Sequence, residues 1–465
     1  MNQLKLLAGF LLFVAVWPAV LRNWRRGLEL FILFTPFSGA VELFLYPAPW
    51  PVLIKDVLFV MPAYIGFAIS EDLGSVWSGL PRSFGALLWV FIGIVLLQAL
   101  NPAGPGLLAT LIGLKVWLFY VPMLLLGRAY VRDRASLLRL SRLMIGLIWF
   151  PCTIGILQWL LSLALGYEYV LTLFYGAAAP SATQGFSHFN VGLMRIPATF
   201  AFAGQYFIYV LCMFVPVLGC IGIETDPRWR TIRSASLWLL CVAGFMTGER
   251  AAFVMIPLLL FTFYMLRRRV LGLLWGGLLI AGLFAVTLSI SGIDLPGLTE
   301  METDLTLNYS RGQLEEIADA LRLTWVGVGV GTSTGAARFA ASDPDVFVAF
   351  EGAYAKAVAE LGIAGCAILI ALQVVLLLFA VRMRERSRAF ASYCGAIATF
   401  VLVILIYNYK GPVIALDPGN MLYWLFAGVL FSLPEAEAID AQSAGTSWSS
   451  DWVETPRGWV ASGGR

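Results

Sequence analysis

The sequence predicts an all-α, polytopic helical membrane protein, and three observations carry that expectation. Hydrophobic residues make up 60% of the 465-residue chain and charged residues only 13%, where a soluble domain has about 25% charged. Apolar runs long enough to cross a hydrocarbon core, roughly 17–25 residues, recur from end to end. The aromatic content of 14%, with 16 Trp and 16 Tyr, suits the amphipathic rings that gather at membrane–water interfaces. A net charge of +3 says little about partners, because placement of charge outweighs its sum in a membrane protein. No nucleic-acid partner is expected.

Thirteen candidate spans lie near 4–21, 28–47, 52–70, 84–100, 106–127, 137–165, 200–223, 235–248, 251–266, 270–290, 352–381, 389–408 and 418–433. The short pair at 235–248 and 251–266 leaves the count at 12–13. Only Lys5 precedes the first run and no small-residue cleavage site follows it, so a retained helix is expected rather than a signal peptide. Cys152, Cys212, Cys220, Cys241, Cys366 and Cys394 lie in apolar segments without CxxC spacing and read as small buried hydrophobes. One transmembrane domain is expected over 1–433. A disordered tail is expected over 434–465, whose acidic and then Ser-, Gly- and Trp-rich composition has no apolar period.

Basic residues cluster in alternate loops: Arg22, Arg25 and Arg26; Arg128, Arg132, Arg134, Arg139 and Arg142; Arg228, Arg230 and Arg233; Arg267 to Arg269; and Arg382 to Arg388. All five clusters face the cytoplasm together if the N-terminus lies outside. The longest outward loops are then 166–198 and 291–350. Isolated basic residues nevertheless occur on the outward side: Arg195, Arg250, Arg311, Arg322, Arg338 and Lys410. Either they bind an anion, or they snorkel or pair with Glu249, Glu315 or Glu351.

The 291–350 loop is long enough to require a function. Leu314, Ile317, Ala318 and Leu321 mark one face of a short helix, with Arg311 and Glu315 spaced to pair and Trp325 at its end. This helix is expected at the outer membrane interface. Gly327, Gly329 and Gly331 permit a tight turn with close approach to a ligand, or simply end the loop; no βαβ context supports a dinucleotide site. Glu351 and Tyr354 are expected one turn apart at the start of the eleventh span. Lys356 and Glu360 are spaced to pair within it. A carboxylate in a half-dry pocket can act as a general base; alternatively Glu351 pairs with an outward arginine. Within the membrane, Lys55 and Asp56 are placed to satisfy each other or face a cavity, and Lys115 is the deepest cation. His188, the only histidine, is either structural or part of the site. With one His and no Cys cluster, a transition-metal site is not expected.

The ordered set of these motifs resembles the O-antigen ligase and polymerase superfamily, bacterial inner-membrane proteins acting on undecaprenyl-pyrophosphate-linked glycans. The resemblance covers about residues 20–432. It rests on Arg195-Ile-Pro-Ala-Thr-Phe-Ala-Phe-Ala-Gly204, on Met246-Thr247-Gly248-Glu249-Arg250-Ala251-Ala252, on Arg311 through Gly331, and on Glu351 through Tyr354 followed by Glu360-Leu361-Gly362-Ile363-Ala364-Gly365. One departure stands out: Glu351-Gly352 replaces a His-Asn pair. The resemblance implies a GT-C-like glycosyltransferase architecture, with both outward loops periplasmic and no cofactor. It implies a polysaccharide repeat-unit polymerase, with a ligase to another acceptor or a polysaccharide transporter as alternatives. Arg195, Arg250 and Arg311 would stabilise the pyrophosphate leaving group without a metal, and Glu351 would take the acceptor proton. Lys410, Tyr354, Arg322 and His188 would contact substrate. These groups are expected in one cavity. Membrane lipid and a chain-length regulator of the same pathway are the further partners implied.

Overall fold

The computed structural model describes residues 16–46, 50–180, 189–190, 193–267, 282, 309–334, 347–443, 452–455 and 458–461. In chain order the helices are α1 (Trp24–Phe34), α2 (Ser38–Phe44), α3 (Met61–Ser70), α4 (Leu73–Ser78), α5 (Arg82–Ala99), α6 (Leu107–Leu114), α7 (Met123–Tyr130), α8 (Arg134–Leu165), α9 (Tyr167–Tyr175), α10 (Ala203–Gly219), α11 (Pro227–Met246), α12 (Ala252–Leu266), α13 (Tyr309–Leu323), α14 (Ala353–Arg386), α15 (Ala391–Tyr407) and α16 (Gly419–Ser443). Single π-helical turns, Asp56–Val60 and Lys115–Phe119, lead into α3 and follow α6. Among the described residues strand pairing is confined to two short antiparallel pairs, Phe189–Asn190 with Leu193–Met194 and Trp452–Thr455 with Gly458–Ala461.

Among the described residues seven helical stretches are long and apolar enough to cross a membrane: Trp24–Phe44, Pro51–Ser70, Arg82–Ala99, Leu107–Tyr130, Arg134–Leu165, Ala353–Arg386 and Gly419–Gln442. The shorter α10, α12 and α15 are also apolar. The protein is therefore a polytopic helical membrane protein. The expected spans 4–21 and 270–290 lie largely outside the described residues. The expected span 235–248 belongs to a helix that starts at Pro227 and carries Arg228, Arg230 and Arg233. Asp226 sets that start by accepting the Arg228 N–H at 2.9 Å, a side-chain N-cap.

The chain divides into two compact units, each assembled from two separated stretches: Met1–Gly74 with Leu137–Leu298, and Ser75–Ser136 with Thr299–Arg465. In the first unit α10 is buried along almost its whole length, as a helix apolar all round must be. Arg142 on α8 grips Glu224 with two parallel bonds of 2.8 and 2.7 Å and lies 5.3 Å from the centroid of the Trp229 ring. The Arg142 contact holds the Glu224 carboxyl below its ordinary range.

In the second unit α7 and α16 touch backbone to backbone. A Cβ on Gly428 would overlap the Leu124 carbonyl oxygen and meet the Arg128 nitrogen at 2.8 Å. Arg128 is buried, with donors to the carbonyls of Val76 at 2.9 Å and Phe431 at 2.7 Å and to the Glu435 carboxylate at 2.5 Å. Glu437 accepts from the N–H groups of Arg388 and Ala389 at 2.7 and 2.9 Å. These contacts correct the expectation of disorder from residue 434, because α16 runs on through Pro434 to Ser443. The acidic residues that gave the tail its composition are ion-pair partners and caps.

Gly428→Ala is expected to lower the unfolding free energy by about 2 kcal/mol, since the added methyl forces two helix backbones apart. A thermal melt in detergent checks this; an unchanged midpoint would show that α7 and α16 can separate freely.

Candidate functional site

Two irregular buried stretches, one in each unit, carry Arg195 and the glycine run 327–331 singled out by the sequence. In the first unit the chain from Leu193 to Phe202 runs without helix between α9 and α10, yet Met194 and Ile196 to Phe200 are buried. Its backbone is held by α2 (Ala40 N–H to Thr199 carbonyl, 2.8 Å) and by the turn after α11 (Ile196 N–H to Thr247 carbonyl, 3.0 Å). Gly248 allows this approach: a Cβ there would overlap the Met194 carbonyl. Thr247 shapes the turn, donating its hydroxyl to the Gly244 carbonyl at 2.7 Å and accepting the Glu249 N–H at 3.2 Å. Two segments about fifty residues apart thus meet, and Arg195 forms an ion pair with Glu249, its Nε lying 3.1 Å from Oε1. Arg195 retains 21% of its side-chain exposure and Glu249 6%. Arg250, next along the turn, is buried. A half-buried guanidinium held in one orientation by a carboxylate has the fixed fork geometry that suits recognition of an anion.

In the second unit the irregular stretch is 324–334. Gly327, Gly329 and Gly331 all have φ near +100°, a region costly for residues with a Cβ. A Cβ on Gly327 would lie 2.9 Å from the Glu360 carbonyl oxygen, and one on Gly329 2.9 Å from Gly104 Cα. The space that glycine leaves open is therefore filled by the chain's own backbone rather than by a ligand. The segment threads against α5 and α14: Gln98 Nε2 donates to the Val326 carbonyl at 2.6 Å, Val328 N–H to Ala359 at 2.8 Å, and Ile363 N–H to Trp325 at 3.0 Å. The last contact is possible because α14 is broken at Gly362 (φ +76°). What the sequence presents as one span, 352–381, is thus a short helix to Leu361 and a longer one beyond. The Glu360 carboxylate, fully buried, accepts from Trp117 Nε1 at 2.7 Å, Ser333 N–H at 2.8 Å and Thr334 Oγ1 at 3.1 Å. Lys356 Nζ lies 5.7 Å from the Trp117 ring centroid, a cation–π contact.

The start of α14 corrects the reading of Glu351. The helix begins at Ala353, so Glu351 precedes it and is exposed. The half-buried carboxylate is Glu316 on α13, whose Oε2 accepts from the N–H groups of Glu351 and Gly352 at 3.2 Å each. Burial raises the Glu316 carboxyl above its ordinary range, and the nearby Glu351 charge adds to the rise against those hydrogen bonds. The sequence offered one signal for it: Gln313, Glu316 and Ala320 share a helix edge. Gln313 and Ala320 are buried, while Leu314 on the apolar stripe is 60% exposed and Trp325 75%.

The remaining expected residues disperse. Tyr354 donates its hydroxyl to the Leu405 carbonyl at 2.6 Å, tying α14 to α15. Exposed Arg322 pairs with Asp319 within α13 at 3.0 Å, a contact of little energetic weight. Lys410 is half-buried in the turn after α15. Arg311 falls in the first turn of α13, its side chain outside the described residues, as are His188 and Arg338. Lys55 and Asp56 are both buried at the start of the span that includes α3. Arg195 and Arg250 belong to the first unit, and Arg311, Arg322, Glu351, Tyr354 and Lys410 to the second. Among the described residues no three His, Cys, Asp or Glu side chains gather to hold a metal ion.

Glu360→Ala strands the buried Trp117 and Ser333 donors and is expected to cost about 3 kcal/mol, read as a lowered midpoint in chemical or thermal unfolding. For Glu316, a folded-state pKa above the unfolded one means that the native chain binds its proton more tightly. The stability it contributes is complete below the unfolded value and lost as pH rises through the raised one. Glu316→Gln removes that dependence, so its melting temperature is expected to gain on the parent as pH rises through that window; parallel curves would contradict the assignment. Searches of the sequence against models of protein families and against curated proteins find no match.

Proposed function

We propose that this protein is a polysaccharide repeat-unit polymerase of the O-antigen ligase and polymerase type, with a GT-C-like architecture in the bacterial inner membrane and its site facing the periplasm. The observation that supports this reading is the junction of Arg195 with the Thr247–Arg250 turn. Two of the four motifs through which the sequence resembles the superfamily meet there, around a half-buried guanidinium that Glu249 holds. In the proposed reaction the hydroxyl at the non-reducing end of one lipid-linked repeat attacks the anomeric carbon of another glycan. The bond from that carbon to undecaprenyl pyrophosphate breaks, and the leaving pyrophosphate carries away the electron pair. Fixed arginines stabilise that developing charge because they need no reorganisation as it forms. The acceptor proton passes to a general base.

One observation favours a second reading. A helix broken inside a bundle, as α14 is at Gly362, is a common feature of secondary transporters. Here, however, the Val326 and Trp325 carbonyls occupy the break, so it serves to seat a loop. The enzyme reading is preferred on that ground.

Deleting the gene is expected to abolish long-chain polysaccharide and to accumulate single lipid-linked repeats. Accumulation of full-length lipid-linked polymer would instead indicate a ligase, and unchanged polymer would refute both. Arg195→Ala and Arg250→Ala are each expected to lower polymer formation by about a hundredfold or more. Arg195→Lys is expected to be intermediate, because it keeps the charge but loses the fork geometry.

A further inference from the structure

Beyond the two-residue strand Leu193–Met194 the Arg195 segment has no regular secondary structure, so something else must set where its side chain points. Its backbone contains Ala198 at φ +51°, a left-handed conformation that costs a residue with a Cβ of order 1 kcal/mol. The surroundings must therefore impose it. Three polar side chains do so from neighbouring helices. Tyr167, the first residue of α9, donates its hydroxyl to the carbonyl of Arg195 itself at 2.9 Å. Tyr175, the last residue of α9, donates its hydroxyl to the Ala198 carbonyl. Gln158 on α8 donates to the same carbonyl at 3.2 Å and to the Tyr175 hydroxyl at 2.8 Å. All three side chains are buried, where an unmade hydrogen bond is costly. Burial raises both tyrosine hydroxyls above their ordinary range, so they remain donors at neutral pH. The apolar sides of Tyr167 and Tyr175 join Leu43, Trp159, Met194 and Ile196 in one cluster, which keeps the donors in place.

We propose that Gln158, Tyr167 and Tyr175 are positioning residues that hold the Arg195 and Ala198 carbonyls and thereby aim the Arg195 guanidinium at an anionic group of the substrate. The anion-binding part of this statement rests on the polymerase reading. The positioning part does not. The hydrogen bonds of all three end on main-chain carbonyls or on one another rather than on the Arg195 head group. Their effect passes through the main chain, as does that of the Thr247 carbonyl on the Ile196 N–H.

The test has two arms. In the first, Arg195→Cys is made in the full-length chain, and labelling of that position by a small maleimide is timed in detergent. The six native cysteines are buried and label slowly. Adding Tyr167→Phe, Tyr175→Phe or Gln158→Leu is expected to speed labelling by about tenfold, as a locally loosened segment opens more often. An unchanged rate in all three would overturn the proposal. In the second arm the same substitutions in the otherwise native chain are expected to lower kcat by about tenfold with KM little changed. They are expected to have no further effect in an Arg195→Ala background. Additive losses there would mean a general structural role and would also overturn it. The tyrosine changes remove one oxygen each, so they keep the test informative if Gln158→Leu fails to fold. If the native chain makes no polymer, the polymerase reading fails while the labelling arm still decides whether the three residues position this segment.

Discussion

A backbone that leaves helical geometry inside an apolar bundle must still satisfy its N–H and carbonyl groups, because no water is there to do it. Much of the rest of this structure follows from that constraint. In the second unit, residues 324–334 meet it by borrowing partners from three places: the Gln98 side chain, the backbone on both sides of the break at Gly362, and the Glu360 carboxylate. In the first unit, residues 193–202 meet it through Gln158, Tyr167, Tyr175 and the Thr247 carbonyl.

The same constraint explains how charge is used. Glu360 would be prohibitively costly in a dry core alone, but three donors surround it. Arg128 is held by two carbonyls and a carboxylate. Arg195 differs from both. Its carboxylate partner is buried while its own side chain keeps 21% of its exposure, so its charge reaches the edge of the fold.

The helices were legible in the sequence wherever apolar runs were long. Eleven of the thirteen expected spans correspond to a helix among the described residues, because length and hydropathy report directly on a hydrocarbon environment. The break at Gly362 was not legible, since an Ala- and Leu-rich run looks the same with or without a kink until the loop that fills it is known. Nor was α9, whose nine residues sat within a stretch read as loop. In the candidate site, Arg195, Glu249 and Arg250 could be singled out by type and by their place in the chain. Gln158 could not, and Glu316 only through the helix edge it shares with Gln313 and Ala320, because each sits in a helix among ordinary polar residues and matters through the backbone it faces.

Composition and periodicity by themselves determined that this is a helical membrane protein, where most of its spans lie, and which charged residues are unusual. Those properties depend on each segment's own interaction with lipid and water. Only the tertiary structure decided that the chain folds as two interleaved units, that the glycine run packs against protein, and that Arg195 meets the Thr247–Arg250 turn. Each of these depends on contacts between residues tens to hundreds of positions apart. The pattern of any one segment does not record which distant carbonyl or carboxylate completes it.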